Sequence, residues 1–340
     1  MSSADISLKT RIRLGVVPTH LRFVGCLVPD EAGRYPRDES GEIRIVVGMR
    51  ELCEASRVPL NCVQISVFPG CDDGDLDEMI TKLRAHGLDV DLIMMLGGVN
   101  PMNPADEDAV VGQLLPGMKA AVKHGIGTVS STSIEGWMFP GETERTGKAF
   151  EEAVAQNVKV HLRVIEEADL LQSSVKSWHI EFLRPGEFQT FTNIDRGRAF
   201  VQAANAALGG KFFKLIVDAA HCGNSGLSID HNIATIRSLG EADELGAFHA
   251  TPPTTRGCLS TDDGWIGALL AAAAATGKLE KVYVEMFHHQ DAALQPLRDL
   301  EPGFGLDTRD GRSYAATMVD GLADIARRLN NLRARGILKD

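Results

Sequence analysis

Four short apolar segments decide the fold of this chain: Trp178-His-Ile-Glu181-Phe, Lys214-Leu-Ile-Val-Asp218, Leu245-Gly-Ala-Phe-His249 and Lys281-Val-Tyr-Val-Glu285. Each has the composition of a β-strand, and each carries one residue of a type that binds metals near its C-terminal end. These residues follow one another at intervals of 37, 31 and 36 positions. Such an interval holds one strand, one helix and two short loops. The region from Trp178 to His289 therefore predicts four successive strand–helix units.

The four strand-end residues are Glu181, Asp218, His249 and Glu285. A single acidic residue at a strand end is commonly a helix cap or part of a surface salt bridge. Four ionisable groups at the ends of apolar strands are costly to bury unless one partner compensates them all, and a divalent cation does so most simply. Three carboxylates and one imidazole suit Mn²⁺, Mg²⁺ or Co²⁺ better than a structural zinc site, with Mn²⁺ as the favoured ion.

Side-chain alternation along the strands predicts that the four groups converge. Successive residues of a strand point to opposite faces of the sheet. If Glu181 points inward, His179 shares its side while Trp178 faces the helices. The same rule places Val217 and Val284 outside when their strand-end carboxylates point in.

Four further strand–helix units precede these. Predicted strands cover 13–18, 63–68, 92–96 and 128–134, and predicted helices cover 42–57, 75–86, 111–124, 148–171, 196–208, 232–239, 265–276 and 314–335. Eight such units without hairpins predict an all-parallel sheet, and eight favour closure into a (β/α)8 TIM barrel over an open doubly wound sheet. We predict a single domain over 1–340, with the barrel core at about 12–335.

The loops that follow the strands are long, at 19–41, 135–147, 250–263 and 286–313. In a barrel they all lie at the C-terminal face, where active sites are built. His20 and Trp137 fall in such loops and are candidate substrate contacts. The alternatives are a loop histidine without a role and a tryptophan that packs its loop onto the barrel.

Composition excludes several classes of protein. The chain has 340 residues, 44% hydrophobic and 24% charged, with a net charge of −11. An acidic chain lacks the basic face of a nucleic-acid binder, so we expect no nucleic-acid partner and no polybasic membrane surface. The six cysteines are scattered without a C-x-x-C pair, which is typical of a reducing compartment. We see no signal peptide and no membrane span, and expect a cytoplasmic protein.

The order Glu, Asp, His, Glu on four successive strands resembles the sugar isomerase/epimerase superfamily, whose members have a xylose-isomerase-like barrel. Two neighbouring residues extend the likeness: His221 follows Asp218 in an Asp-x-x-His pattern, and Arg256 follows His249. The resemblance covers most of the barrel. The chain departs from compact ketose 3-epimerases in its longer loops and in the Pro252-Pro253 turn, which stretches the spacing between His249 and Arg256.

The resemblance implies a mechanism. A divalent cation would make the proton beside a carbonyl more acidic and stabilise an enediolate. Glu181 and Glu285 would remove and return that proton, whereas Asp218 and His249 would mainly hold the metal. His221 and Arg256 would bind substrate oxygens. The expected substrate is a keto-sugar or a related sugar derivative.

Other functions share this barrel. The larger subunits of bacterial C-glycoside deglycosidases resemble it too; they remove a similar proton from a 3-oxo-glucoside, expel the aglycone and work with a small partner subunit. The longer loops keep this lyase alternative open, together with a homo-oligomer or a hetero-oligomer as the assembly. A nuclease with a trinuclear zinc cluster is a further alternative, but the acidic net charge of the chain argues against it. A barrel that only binds a ligand is another, and it predicts that the ligand still binds after the metal is removed.

Overall fold

Eight parallel strands close into a barrel in this computed structural model, which describes residues 6–18, 28–253, 264–286, 295–300 and 313–338. Neighbouring strands follow chain order from β1 to β8, and β8 pairs with β1. The strands are Arg13–Val17, Cys62–Val67, Asp89–Met94, Thr128–Ser131, Ser177–Ile180, Phe213–Asp218, Leu245–Ala250 and Lys281–Glu285. The predicted (β/α)8 barrel is confirmed, because helices connect the strands on the outside.

Ten α-helices occur in the described part of the chain. In order, α1 to α10 are Arg44–Ala55, Asp73–Ala85, Glu107–Lys123, Gly147–Glu167, Ile194–Leu208, Ala219–Asn224, Ile229–Glu241, Trp265–Ala275, Gln295–Leu300 and Tyr314–Ala334. The eight predicted helices are all present. The sequence patterns missed α6 and α9, six-residue helices that are too short for a periodic apolar face.

The strands alternate between the barrel interior and the helices, as the sequence pattern predicts. Trp178 on β5 points outward and packs against His161 of α4, with the ring centres 4.8 Å apart. Its indole N–H donates a hydrogen bond to Ser131 Oγ at 2.8 Å. The next residue, His179, points inward and accepts a hydrogen bond from the N–H of Ala247 on β7. Val217 and Val284 lie fully buried in the main hydrophobic core.

The barrel interior holds a buried ion pair near the amino ends of the strands. Lys281 Nζ lies 2.7 and 2.8 Å from the two carboxylate oxygens of Asp91, and the Tyr283 hydroxyl donates to the same carboxylate at 2.6 Å. The Asp91 side chain is only 2% exposed. Burial raises the pKa of Asp91 even though Lys281 favours its charged form. Such a buried pair is held because each charge compensates the other.

The sheet register brings the four strand-end residues together. Asp218 is paired with His249 across β6 and β7, and the carboxyl ends of β5 to β8 are adjacent around the barrel. No helix in the described residues is both long and apolar enough to cross a membrane.

Replacing Lys281 with methionine should destabilise the fold. The variant leaves the Asp91 carboxylate buried without its cation, which costs about 3–5 kcal/mol of unfolding free energy. The matched control is Lys278→Met, because Lys278 is a half-exposed lysine near the same end of the barrel; its expected change is within about 0.5 kcal/mol. Urea denaturation measures both. Equal unfolding free energies for the two variants would contradict the structural importance of the Lys281–Asp91 pair. Adding Asp91→Leu to Lys281→Met removes the unpaired carboxylate and should recover most of the lost unfolding free energy.

Candidate metal centre

Four side chains meet at the carboxyl end of the barrel, one from the end of each of the strands β5 to β8. They are Glu181, Asp218, His249 and Glu285. One ligand atom from each lies within 4.8 Å of the others, and all four residues are buried. These are the residues that the sequence predicts as a metal site. Their positions follow from the inward alternation of each strand and from the closure of the barrel.

His249 lies at the centre of this cluster. Its Nδ1 atom is 3.1 Å from Glu181 Oε1, 3.5 Å from Glu285 Oε2 and 3.9 Å from Asp218 Oδ2. The edge of the imidazole meets the Tyr283 ring, with the ring centres 6.0 Å apart. The ring is therefore held with Nδ1 directed at the carboxylates. One His249 nitrogen and three carboxylate oxygens therefore lie close enough together to be ligands of a single ion.

The electrostatics of the cluster favour a positive charge. Burial opposes a charged imidazole, but the carboxylates of Glu181 and Glu285 outweigh that penalty and raise the pKa of His249 well above its usual value. The cluster therefore attracts either a proton on His249 or a cation among the ligands. Three oxygens and one nitrogen in a buried site form a donor set that fits a divalent cation such as Mn²⁺, Mg²⁺ or Co²⁺.

Neighbouring groups hold two of the carboxylates in place. Asp218 Oδ1 accepts a hydrogen bond of 2.8 Å from the N–H of His221 and so caps the amino end of α6. The Thr251 hydroxyl lies 3.4 Å from Glu285 Oε2. Groups that orient metal ligands in this way strengthen metal binding. Sequence reasoning missed Thr251, although it comes two residues after His249, on the same side of the chain.

His221 lies at the edge of the cluster. Its Nδ1 accepts a hydrogen bond from the N–H of Arg184 at 3.2 Å, so in the neutral ring the proton is on Nε2. That Nε2 is 3.7 Å from Glu181 Oε1. The structure thus places the histidine of the Asp-x-x-His pattern beside a candidate catalytic carboxylate. Its contact with substrate remains a prediction.

A buried ion pair at the mouth was not predicted. Arg184 Nε donates to Glu187 Oε1 at 2.8 Å, and both side chains are less than a tenth exposed. This pair fixes the loop that follows β5, next to Glu181. The Arg-x-x-Glu spacing in the sequence could have indicated this ion pair. The same spacing is common at exposed positions, however, where an ion pair adds little to stability.

Trp137 lies in the loop after β4, where it is partly buried and packs against Leu297 of α9. The contact joins the loop after β4 to the segment after β8 across the mouth. This placement fits the packing alternative, and a substrate contact for Trp137 stays a prediction. The other two candidate substrate contacts, His20 and Arg256, lie outside the described residues.

Solved structures share this fold over nearly the whole chain. An L-ribulose 3-epimerase is 17% identical with a TM-score of 0.71, covering 96% of this chain and 97% of the other. A D-allulose 3-epimerase from Methylomonas sp., in complex with D-allulose, is 14% identical with a TM-score of 0.69 and covers 95% and 99%. The IolI protein with a bound zinc atom is 15% identical with a TM-score of 0.50 and covers 83% and 94%.

No family model matches this chain, and no curated protein matches it by sequence. At such identities the likeness shows the fold alone. The resemblance to the xylose-isomerase-like barrels of ketose 3-epimerases is confirmed at that level.

The metal content and its pH dependence test the centre. Purified protein should contain about one Mn, Mg or Co ion per chain by elemental analysis. Because the pKa of His249 is raised, metal must displace a proton from the imidazole. We expect release of about one proton per metal, and an affinity that falls about tenfold per pH unit below that pKa. Calorimetry in buffers of different ionisation enthalpy measures the release.

The same titration affects the stability of the metal-free protein. A folded-state pKa above the unfolded value of about 6.5 stabilises the fold below that pH, and this contribution disappears as the pH rises through the raised value. The gain in melting temperature on adding Mn²⁺ should therefore grow with pH. His231→Ala, at an exposed histidine of α7, is the control and should leave the proton release unchanged. Metal binding without proton release would contradict the role of His249.

Proposed function

We propose that this protein is a divalent-metal-dependent enzyme of the sugar isomerase/epimerase type, which moves a proton at a carbon next to a carbonyl. The observation that carries the proposal is the buried cluster of Glu181, Asp218, His249 and Glu285 at the barrel mouth. A divalent cation held there, Mn²⁺ by preference, would polarise a substrate carbonyl and make the neighbouring C–H more acidic. The ketose 3-epimerases that share the fold act on sugars of this class.

The geometry supports different roles for the four residues in this proposal. Glu181 Oε1 and Glu285 Oε2 lie 3.1 and 3.5 Å from the same atom, Nδ1 of His249. The two glutamates come from strands that are not neighbours in the barrel. Carboxylates from separate strands can approach one substrate carbon from two sides. Glu181 and Glu285 therefore remove and return the proton in this proposal.

Asp218 and His249 have a holding role in the same proposal. Both are fully buried, and Asp218 is also bonded to the backbone at the start of α6. Groups fixed in this way are suited to keep a constant position through a reaction. Glu285 keeps more exposure than either, at 8%.

His221 acts as a donor in this scheme. With its Nδ1 occupied by the Arg184 N–H, its Nε2–H is directed to the side of the cluster where Glu181 lies. A substrate hydroxyl placed there would accept this hydrogen bond, and the contact would also orient Glu181. Arg256, His20 and Trp137 complete the proposed substrate contacts, and a second copy of the chain or a small partner subunit would complete the mouth.

Replacing Glu285 with glutamine tests the catalytic assignment. The amide is nearly the same size but cannot take up a proton, so turnover should fall at least about 100-fold while the fold survives. The matched control is Glu152→Gln, at an exposed carboxylate of α4, which should keep parental activity. Circular dichroism and melting temperature check folding. Near-parental turnover in Glu285→Gln would remove Glu285 from the mechanism.

Product analysis separates the proposed isomerase or epimerase from a lyase. The metal-loaded protein is incubated in deuterated water with free ketoses and, separately, with a 3-oxo-glucoside that carries an aromatic aglycone. Deuterium incorporation with formation of an epimer or isomer is the expected result. Release of the aglycone would replace the proposal with the deglycosidase alternative, because elimination expels the leaving group instead of returning the proton.

A further inference from the structure

A cavity opens at the amino end of the barrel, opposite the metal cluster. Its volume is about 790 Å³, and it is lined by the first residues of several strands and by the loops that lead into them. We propose that this cavity is a binding site for a small multiply charged anion, a phosphate-bearing ligand or one of similar charge. Ligand sites in proteins commonly have volumes of about 300–1,000 Å³.

The charge of the lining is the first support. Seven lysine or arginine side chains and three acidic side chains line the cavity among the described residues, in a chain whose net charge is −11. Asp91 and Glu244 lie behind this wall and pair with Lys281 and Lys211. Cations are still in excess when those two acids are included. A concave surface with one sign of charge concentrates ions of the opposite sign.

The ion pairs do not use up this positive charge. Arg13 and Lys281 are balanced by Asp89 and Asp91, whereas Asp243 alone pairs with both Lys214, at 3.7 Å, and Lys278, at 3.0 Å. Two cations therefore share Asp243. Lys176 is exposed at the rim of the same cavity. Shared carboxylates leave ammonium N–H groups that can donate to an anion.

A buried serine adds a directed donor, independent of the charge. The N–H of Ala247 donates to His179 Nδ1 at 3.1 Å, so the proton of this imidazole is on Nε2. That Nε2 lies 3.0 Å from Ser177 Oγ and donates to it. The Ser177 hydroxyl must then direct its own hydrogen elsewhere. Both residues are only 8% exposed and both line the cavity. The histidine thus leaves the Ser177 hydroxyl hydrogen free to be donated to another acceptor, and in this proposal that acceptor is an anion in the cavity.

The cavity is separate from the metal cluster. The fully buried Tyr283 lies between the two ends, with its ring against His249 and its hydroxyl on Asp91. His179 lies two residues before Glu181 on the same side of the chain, a separation of about 7 Å along a strand. An anion can enter from the amino end of the barrel without passing through the mouth. The proposal is therefore independent of the proposed reaction.

Calorimetric titration with inorganic phosphate and with sulfate tests the site. The full-length protein is titrated after metal removal and again after Mn²⁺ loading, with chloride replacing the probe at constant ionic strength so that screening stays equal. We expect saturable binding at one site per chain in both forms. Because no turnover is measured, failure of this experiment is distinguishable from failure of the proposed reaction.

Matched variants locate the bound anion. Lys176→Gln combined with Lys214→Gln removes two cations from the cavity and should weaken phosphate binding at least about tenfold. Ser177→Ala keeps every charge and should weaken it about 5- to 10-fold through one lost hydrogen bond. The control, Lys148→Gln combined with Lys159→Gln, removes two exposed cations of α4 and should change the affinity less than about twofold.

Two results would overturn the proposal. One is the absence of saturable binding by phosphate and sulfate in the parent protein. The other is an equal loss of affinity in the cavity pair and the α4 pair, which would show that the lysines act only through the overall charge. If the cavity pair does not fold by circular dichroism, Ser177→Ala decides alone: parental affinity in that variant rejects the site.

Discussion

Three carboxylates buried around one imidazole are the constraint on which the mouth of this barrel depends. Glu181, Asp218 and Glu285 bring negative charge into a buried site, and Nδ1 of His249 lies within 3.9 Å of an oxygen of each of them. Like charges at this distance repel strongly in a protein interior. The raised pKa of His249 records that repulsion, since a proton on the ring relieves it. A divalent cation held among the four side chains would relieve it more fully.

The two ends of the barrel solve the problem of interior charge differently. At the carboxyl end three acidic residues converge with one histidine, and a cation would neutralise their negative charge. At the amino end Lys281 neutralises Asp91, and further lysines and arginines surround the entrance. The same eight strands therefore carry an acidic site at one end and a basic cavity at the other. Parallel strands make this possible, because every strand presents its first residues at one end and its last residues at the other.

Much of the fold follows from patterns that span a few residues. Strand alternation placed Trp178 outside and His179 inside, and helical periodicity located the eight longer helices. The sequence patterns missed helices α6 and α9 because six residues do not complete two turns. Helix α6 also follows β6 directly, with Asp218 as both the last residue of the strand and the N-cap of the helix. Local propensity also left open which loop residues pack together, so Trp137 could be placed on its loop but not against Leu297.

From the sequence alone, eight strand–helix units sufficed to predict the barrel, and four ligand-type residues at regular strand ends sufficed to predict the composition of the centre. The spacing of the ligand-type residues and the alternation of side chains along a strand can both be read from the order of residues, and folding does not change either of them. The contacts that orient those residues were decided only by the tertiary structure. The Lys281–Asp91 pair joins residues 190 positions apart, and the Arg184 N–H that sets the His221 tautomer comes from a different βα loop. The reason is physical: such contacts depend on how the closed barrel brings distant strands together, and no local pattern records that distance.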